Sequence, residues 1–120
     1  MNALNGEVDV LLFGKRIGYV KPWQEWPATW DGFSEIEDLP TDDLVCNGAS
    51  RSYCEYKIYE ARQKHLMTGL ETFARTMCTT SDRRKFSERI AMILECGTMM
   101  RECLAQHYRA VAFELERASR

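Results

Sequence analysis

No stretch of this 120-residue chain reaches the roughly 18 consecutive apolar residues that a bilayer-spanning helix needs. Its first residues, MNALNGEVDV, have neither the basic nor the apolar region of a secretory signal, so the expected compartment is the cytoplasm. Cysteine is present but badly spaced for structure. Cys46, Cys54, Cys78, Cys96 and Cys103 are odd in number and fit neither a disulfide framework nor a paired zinc knuckle, so reduced and mostly buried thiols are expected. There is no internal repeat and no low-complexity segment.

The signatures of chemistry are missing as well. There is no G-x-S-x-G elbow, and Ser50 in Asn47-Gly48-Ala49-Ser50 has no histidine near it in sequence. Gly6 and Gly14-Lys15 cannot form a phosphate loop, because Val8 to Leu12 between them is strand-like where that loop must be compact. Cys103 and His107, four apart on a helix, could approach one metal ion from the same face. Two ligands do not make a site, even with His65 on the preceding helix, and the pair is read as core residues with the imidazole hydrogen-bonded across an interface. Acids are plentiful from Glu35 to Asp43, but a solvated run cannot hold two carboxylates at a fixed separation or drive their pKa values apart. The chain is therefore expected to be no enzyme and to carry neither metal nor cofactor.

What is present is long helical periodicity. Tyr56, Tyr59, Gln63, Leu66, Leu70, Phe73 and Met77 follow one another at intervals of three and four, as do Phe86, Ile90, Ile93, Gly97, Met100, Leu104, His107 and Val111. The break between them is Thr79-Thr80-Ser81, with Ser81 as the expected N-cap and Asp82 at the positive helix end. Gly97 interrupts neither phase nor helix, since one mid-helix glycine costs only about 1 kcal/mol. At 1.5 Å per residue the helices would be roughly 40 and 55 Å long, which leaves an overhang that needs a partner. A flanking set, Leu94, Met99, Tyr108, Ala112 and Leu115, widens the second stripe, and a homodimer through the long helices is one way to cover it.

Before the helices, VDVLLFGKRIGYV reads as two short strands around Gly14-Lys15, with Ile17 and Tyr19 expected on one face of the second. Such a hairpin is marginal alone and must pack on the helices. The following segment holds all three prolines (Pro22, Pro27, Pro40) and all three tryptophans (Trp23, Trp26, Trp30), and is expected to be irregular. The expected fold is therefore α+β in a single domain over residues 1–120. An N-terminal β-hairpin (8–20) and an irregular Trp-rich and acidic segment (21–48) pack on a long antiparallel helical hairpin (51–78 and 82–118).

Charge divides along the chain. Residues 1–50 carry 9 acids and 3 bases, residues 51–120 carry 9 acids and 13 bases, so halves of −6 and +4 attract each other. The acids Glu35, Glu37, Asp38, Asp42 and Asp43 form a candidate steering surface, and Trp23, Trp26 and Trp30 are candidate apolar anchors, because tryptophan is enriched at binding hot spots. Arg83, Arg84, Lys85 and Arg89 cluster at a helix start, where the dipole disfavours cations. They suit either phosphate binding, with Lys57, Arg62, Lys64 and Arg75 extending the surface, or pairing with the chain's own acids.

With the hairpin LLFGKRIGYV, the tryptophans behind it, the NGAS breaker and the basic amphipathic helix in view, the chain resembles the small accessory proteins of phages and prophages, the class that includes anti-CRISPR and other anti-defence inhibitors. The resemblance lies in size, cysteine use, the order of strands and helices, acidic patches and the missing active site. It implies a phage protein that binds a host protein or nucleoprotein complex stoichiometrically, and it transfers no site residue. The expected function is a non-catalytic interaction protein that binds and inhibits a macromolecular partner. The alternative is a nucleic-acid or nucleoprotein-binding accessory protein using Arg83, Arg84, Lys85 and Arg89.

Overall fold

The computed structural model describes residues 6–24, 28–35 and 43–119. Among them the chain forms four strands, β1 (Val8–Leu12), β2 (Lys15–Gln24), β3 (Thr29–Ser34) and β4 (Asp43–Ala49), followed by three helices, α1 (Arg51–Met67), α2 (Leu70–Thr76) and α3 (Thr80–Ala118). The strands make one antiparallel sheet in the order β1-β2-β3-β4. It packs against α1, which with α2 forms one bent rod, and α3 packs along α1. The architecture is α+β, as the periodicities indicate.

The first hairpin turns at Phe13 and Gly14, whose φ values of 50° and 80° are both positive. This is the backbone of a type I′ loop, the two-residue turn whose twist matches that of the flanking strands. The stretch expected to be irregular is largely sheet where it is described. β2 continues to Gln24, and β3 and β4 extend the sheet beside it. Pro22 stays in a strand because it lies past the end of β1, where Val8 pairs with Val20 and one side of β2 has no further ladder to complete.

A bulge sets which side chains face out. Val10 and Leu11 pair with Gly18 and Arg16, so β2 carries one extra residue, Ile17, at that point. Ile17 turns into the core beside Gly18, while Tyr19 lies on the other face against Phe33. The alternation expected to put Ile17 and Tyr19 together is therefore broken by one residue.

The inner face of the sheet meets α1. Val10, Ile17 and Val20 are buried against Cys54 and Ile58, both wholly inaccessible. The helix comes close because β2 and β3 present glycines there: a Cβ on Gly18 would stand 2.8 Å from Ile58 Cγ2, and one on Gly32 3.1 Å from Cys54 Cβ. Tyr59 reaches from α1 to donate its hydroxyl proton to the Leu11 carbonyl at 2.7 Å. On the side facing α3, Gln63 Nε2 donates to the Ile93 carbonyl at 3.0 Å.

The helices differ from expectation in three places. The rod expected over 51–78 bends at Thr68-Gly69, where Gly69 takes φ 75°. The cap of α3 is Thr79 rather than Ser81, in a reciprocal capping box with Asp82. Backbone N–H groups of Cys78 and Thr79 hold the Asp82 carboxyl below its ordinary pKa. Finally, the most buried positions on α3 are Cys96 and Cys103, beside Gly97 and Leu104 of the expected seam, while Ile93 and Met100 of that seam do pack against the core together with Met92 and Met99. α3 touches both α1 and β1, which widens its buried stripe, and small thiols allow the close approach. The helix is continuous through Gly97.

His107 of α3 meets Ser50 at the start of α1. Beyond it, residues 108–119 are exposed, and the molecule measures 62 × 33 × 20 Å.

Candidate functional site

Sheet pairing sorts the aromatic residues into two groups. Asp9, Tyr19, Phe33 and Leu44 are aligned across the four strands in one row, on the face turned away from the helices. Lys21, Asp31 and Asn47 form the next row. Tyr19 and Phe33 stack with centroids 4.9 Å apart and planes at 17°, and the Arg16 guanidinium lies 4.7 Å above the Tyr19 centroid. Arg16 is itself held between Asp9, at 3.0 Å, and Glu35. The face is thus preorganised: a cation, two rings and Leu44 stand in line, fixed by carboxylates at one end. Asp31 accepts from Asn47 Nδ2 at 2.8 Å and from the Gly48 N–H at 3.1 Å, so that acid steadies β4.

Around the row are large apolar side chains with much of their surface in water: Trp23 is 58% exposed, Leu44 54%, Leu11 47% and Phe13 65%. Phe13 is the least ordinary of these. It occupies a left-handed backbone position that glycine or asparagine suits far better than a bulky ring, and its side chain is displayed at the hairpin tip. The sequence places the turn at Gly14-Lys15; the structure sets it one residue earlier, at Phe13-Gly14, with Lys15 already in β2.

The three tryptophans separate. Trp23 falls at the irregularity of β2 between Pro22 and Gln24 and is largely exposed. Trp30 pairs with Pro22 and Ala49 and packs at the edge of the core, its ring under Arg51 at 5.8 Å and its carbonyl accepting from Cys54 Sγ at 3.3 Å. Trp26 lies outside the described residues, as do Glu37, Asp38 and Asp42. Glu35 is engaged by Arg16, and Asp43 is exposed at the start of β4.

The bases of the alternative site are not gathered into one track. Arg83, Arg84 and Lys85 are exposed on the first turns of α3, with Arg84 4.0 Å from Glu88 of the same helix. Arg89 turns to the Phe73 ring, 5.6 Å away. Lys57 pairs with Glu60 and Arg75 with Glu71, while Arg62 donates to the Glu35 carbonyl. Consecutive phosphates would meet carboxylates between these bases.

The fold does join a serine to a histidine that the sequence keeps far apart. Ser50 Oγ accepts from the Tyr53 N–H at 3.1 Å and shares a 2.7 Å hydrogen bond with His107 Nδ1. The imidazole lies among the rings of Tyr53 and Tyr108, at 5.2 and 4.9 Å. Since Oγ is the N-cap of α1 and no carboxylate among the described residues orients the imidazole, the pair ties two helices together. Cys103 is buried one turn away, and burial pushes its thiol and that of Cys96 up to about 11. Among the described residues no group of three or more His, Cys, Asp or Glu side chains could hold a metal ion, and no helix is long and apolar enough to cross a membrane.

No family model, curated protein or solved structure matches the chain.

Proposed function

We propose that the chain is a non-catalytic interaction protein whose open sheet face binds a macromolecular partner and blocks it. One observation carries the reading: an antiparallel sheet covered on one face leaves on the other a preordered aromatic row flanked by exposed Trp23, Leu11 and Leu44, with Phe13 displayed at strained backbone beside it. Asp9, Asp31 and Asp43 lie on the same strands, in the half of the chain that carries a charge of −6. The partner is accordingly a protein surface with an apolar centre and a basic rim, steered by charge and held by rings. Inhibition, and a host-defence complex such as CRISPR-Cas as its target, rest on the resemblance to phage anti-defence proteins. The cytoplasm is the compartment that resemblance suits.

Affinity capture with the wild-type chain, in parallel with Trp23→Ala and Tyr19→Ala, tests this. A partner kept by the wild type and lost by both variants at unchanged melting temperature supports the reading, and equal capture by all three overturns it. Salt-sensitive binding to generic DNA or RNA, removed by neutralising Arg83, Arg84 and Lys85, would favour the nucleic-acid alternative instead.

A second reading, dimerisation through α3, is favoured by the helix end beyond His107. Leu104, Tyr108, Val111 and Leu115 recur at intervals of four, three and four, with Tyr108 and Leu115 well exposed. The stripe is self-complementary: in an antiparallel pair centred between Arg109 and Ala110, Leu104 meets Leu115 of the second copy and Tyr108 meets Val111. Ala105 and Ala112 flank that seam and let the backbones approach. Sedimentation of the full chain and of Val111→Glu decides it: a dimer converted to monomer supports the pairing, and a monomeric wild type ends it.

A further inference from the structure

Neither reading above uses the cysteines, yet the fold brings two of them together. Cys46 on β4 stands opposite Gly32 of β3, and opposite residues of antiparallel strands lie about 5 Å apart with their side chains on one face. Gly32 carries no side chain there. A Cβ built on it would stand 3.1 Å from Cys54 Cβ, so the space that a β3 side chain would fill is taken by Cys54 of α1, on the inner face from which Cys46 also packs against the core. The two thiols are neighbours across a gap that a glycine leaves.

The pair is asymmetric. Cys54 is wholly inaccessible and its thiol donates to the Trp30 carbonyl at 3.3 Å, whereas Cys46 is half-buried at the side of the core. The Cys46 thiol is within hydrogen-bonding reach of Cys54: burial first, and then this neighbour, pushes the Cys54 thiol up, against the pull of the Ala49 N–H. Cys54 therefore keeps its proton while Cys46 meets solvent. Cys78, by contrast, is exposed, and Cys96 and Cys103 lie two turns apart on α3, roughly 10 Å, beyond the span of a disulfide.

We propose that Cys46 and Cys54 are a reversible redox modification site, at which a low-molecular-weight disulfide such as oxidised glutathione converts the two thiols into a bond that staples β4 to the first turn of α1. The Cys46 thiolate attacks one sulfur of the reagent and expels a thiolate, leaving a mixed disulfide on Cys46. Cys54 then gives up its proton to water and attacks the Cys46 sulfur, expelling the second thiolate. The reagent gains two electrons and leaves as two thiols, and the cysteine pair loses those electrons. Cys54 never meets the reagent, so its burial is no obstacle. The closed loop is short, running from β4 through the Ser50 cap, and the bond fixes the strand that carries Leu44 of the open face. In a reducing compartment a bond of this kind is transient and returns to thiols. The site does not depend on the open face having a partner.

The test is incubation of the full-length native chain with an excess of oxidised glutathione, then acid quenching, alkylation of free thiols and tryptic mass mapping. Trypsin cuts after Arg51, between the two cysteines, so the bond appears as two joined peptides that dithiothreitol separates. The expected products are a bond between Cys46 and Cys54, a glutathione adduct on Cys78, and alkylated Cys96 and Cys103. Cys54→Ala is expected to stop at a glutathione adduct on Cys46, and Cys46→Ser to leave Cys54 unoxidised. Melting curves establish that each variant is folded, and Cys46→Ser, at the less buried position, carries the test if Cys54→Ala does not fold. Three results overturn the proposal: a wild-type chain in which Cys46 stays free or keeps its glutathione adduct; a bond between Cys46 and Cys54 that forms only as Cys96 and Cys103 are also modified, which marks reaction through the unfolded chain; or Cys54 oxidised in a folded Cys46→Ser chain.

Discussion

The two faces of the sheet are made by the same strands and meet opposite fates. On the inner face Val10, Ile17 and Val20 are closed off by Cys54 and Ile58, with Gly18 and Gly32 making room for the helix. On the outer face Tyr19, Phe33 and Leu44 form an ordered row that no helix covers among the described residues, with the Arg16 guanidinium over Tyr19, and Trp23 and Phe13 are exposed. Apolar character alone does not tell the faces apart. The difference lies in what backs each side chain, helix on one side and solvent on the other, so burial and exposure fall to alternate residues of one strand.

That separation can be broken from the inside first. Ile58→Ala removes a wholly buried side chain and is expected to cost about 2–5 kcal/mol in urea unfolding, whereas Trp23→Ala on the outer face stays within about 0.5 kcal/mol. Comparable losses for the two would mean the outer face is core. Gly18→Ala comes next, since its Cβ would stand 2.4 Å from the Phe33 carbonyl oxygen and 2.8 Å from Ile58 Cγ2. A loss of about 1–3 kcal/mol is expected, as for overpacking, and a neutral result would show that α1 shifts freely on the sheet.

Thiol chemistry sharpens the same contrast without touching the open face. Cys78 is exposed, while Cys54, Cys96 and Cys103 are buried. Under native conditions Cys78 is expected to react with a disulfide reagent at once and the three buried thiols only as fast as the protein opens. Because burial raises Cys96 and Cys103 from 9.0 to about 11, the unfolded chain loses these protons first. Their contribution to stability is whole below about pH 9 and declines as pH rises towards 11. A melting temperature flat across that window, with all other titrations accounted for, would contradict their burial.

The smallest expected effect has the opposite sign. Phe13→Asn places a residue suited to positive φ at the tip and is expected to raise stability by up to about 1 kcal/mol, while weakening capture of the partner. A variant that gains stability and keeps full binding would remove Phe13 from the contact surface.

The helices were legible because their heptad phase covers about seventy residues, and the hairpin because Gly14 stands between two β-branched runs. β3 and β4 were not. Thr29–Ser34 holds Asp31 and Gly32, and Asp43–Ala49 holds Asn47 and Gly48, residues that local propensity assigns to loops. They are strands because β2 supplies a template and because Gly32 must admit Cys54, both tertiary facts. The site was half visible: tryptophan drew notice by its composition, but the sorting of Trp23 outward and Trp30 inward depends on sheet registration. Tyr19 is legible as a strand residue, but no local pattern announces its alignment with Phe33 and Leu44, which lie far from it in the chain.

The extra residue at Ile17 acts as a phase shifter for everything downstream on its strand. Replacing an exposed side chain such as Trp23 or Leu44 alters the outer surface alone. Gaining or losing one position between Lys15 and Val20 would swap interior for exterior at a stroke. The spacing along that strand is therefore fixed as firmly as its buried residues Ile17, Gly18 and Val20, and only its outward positions can change without moving the interior.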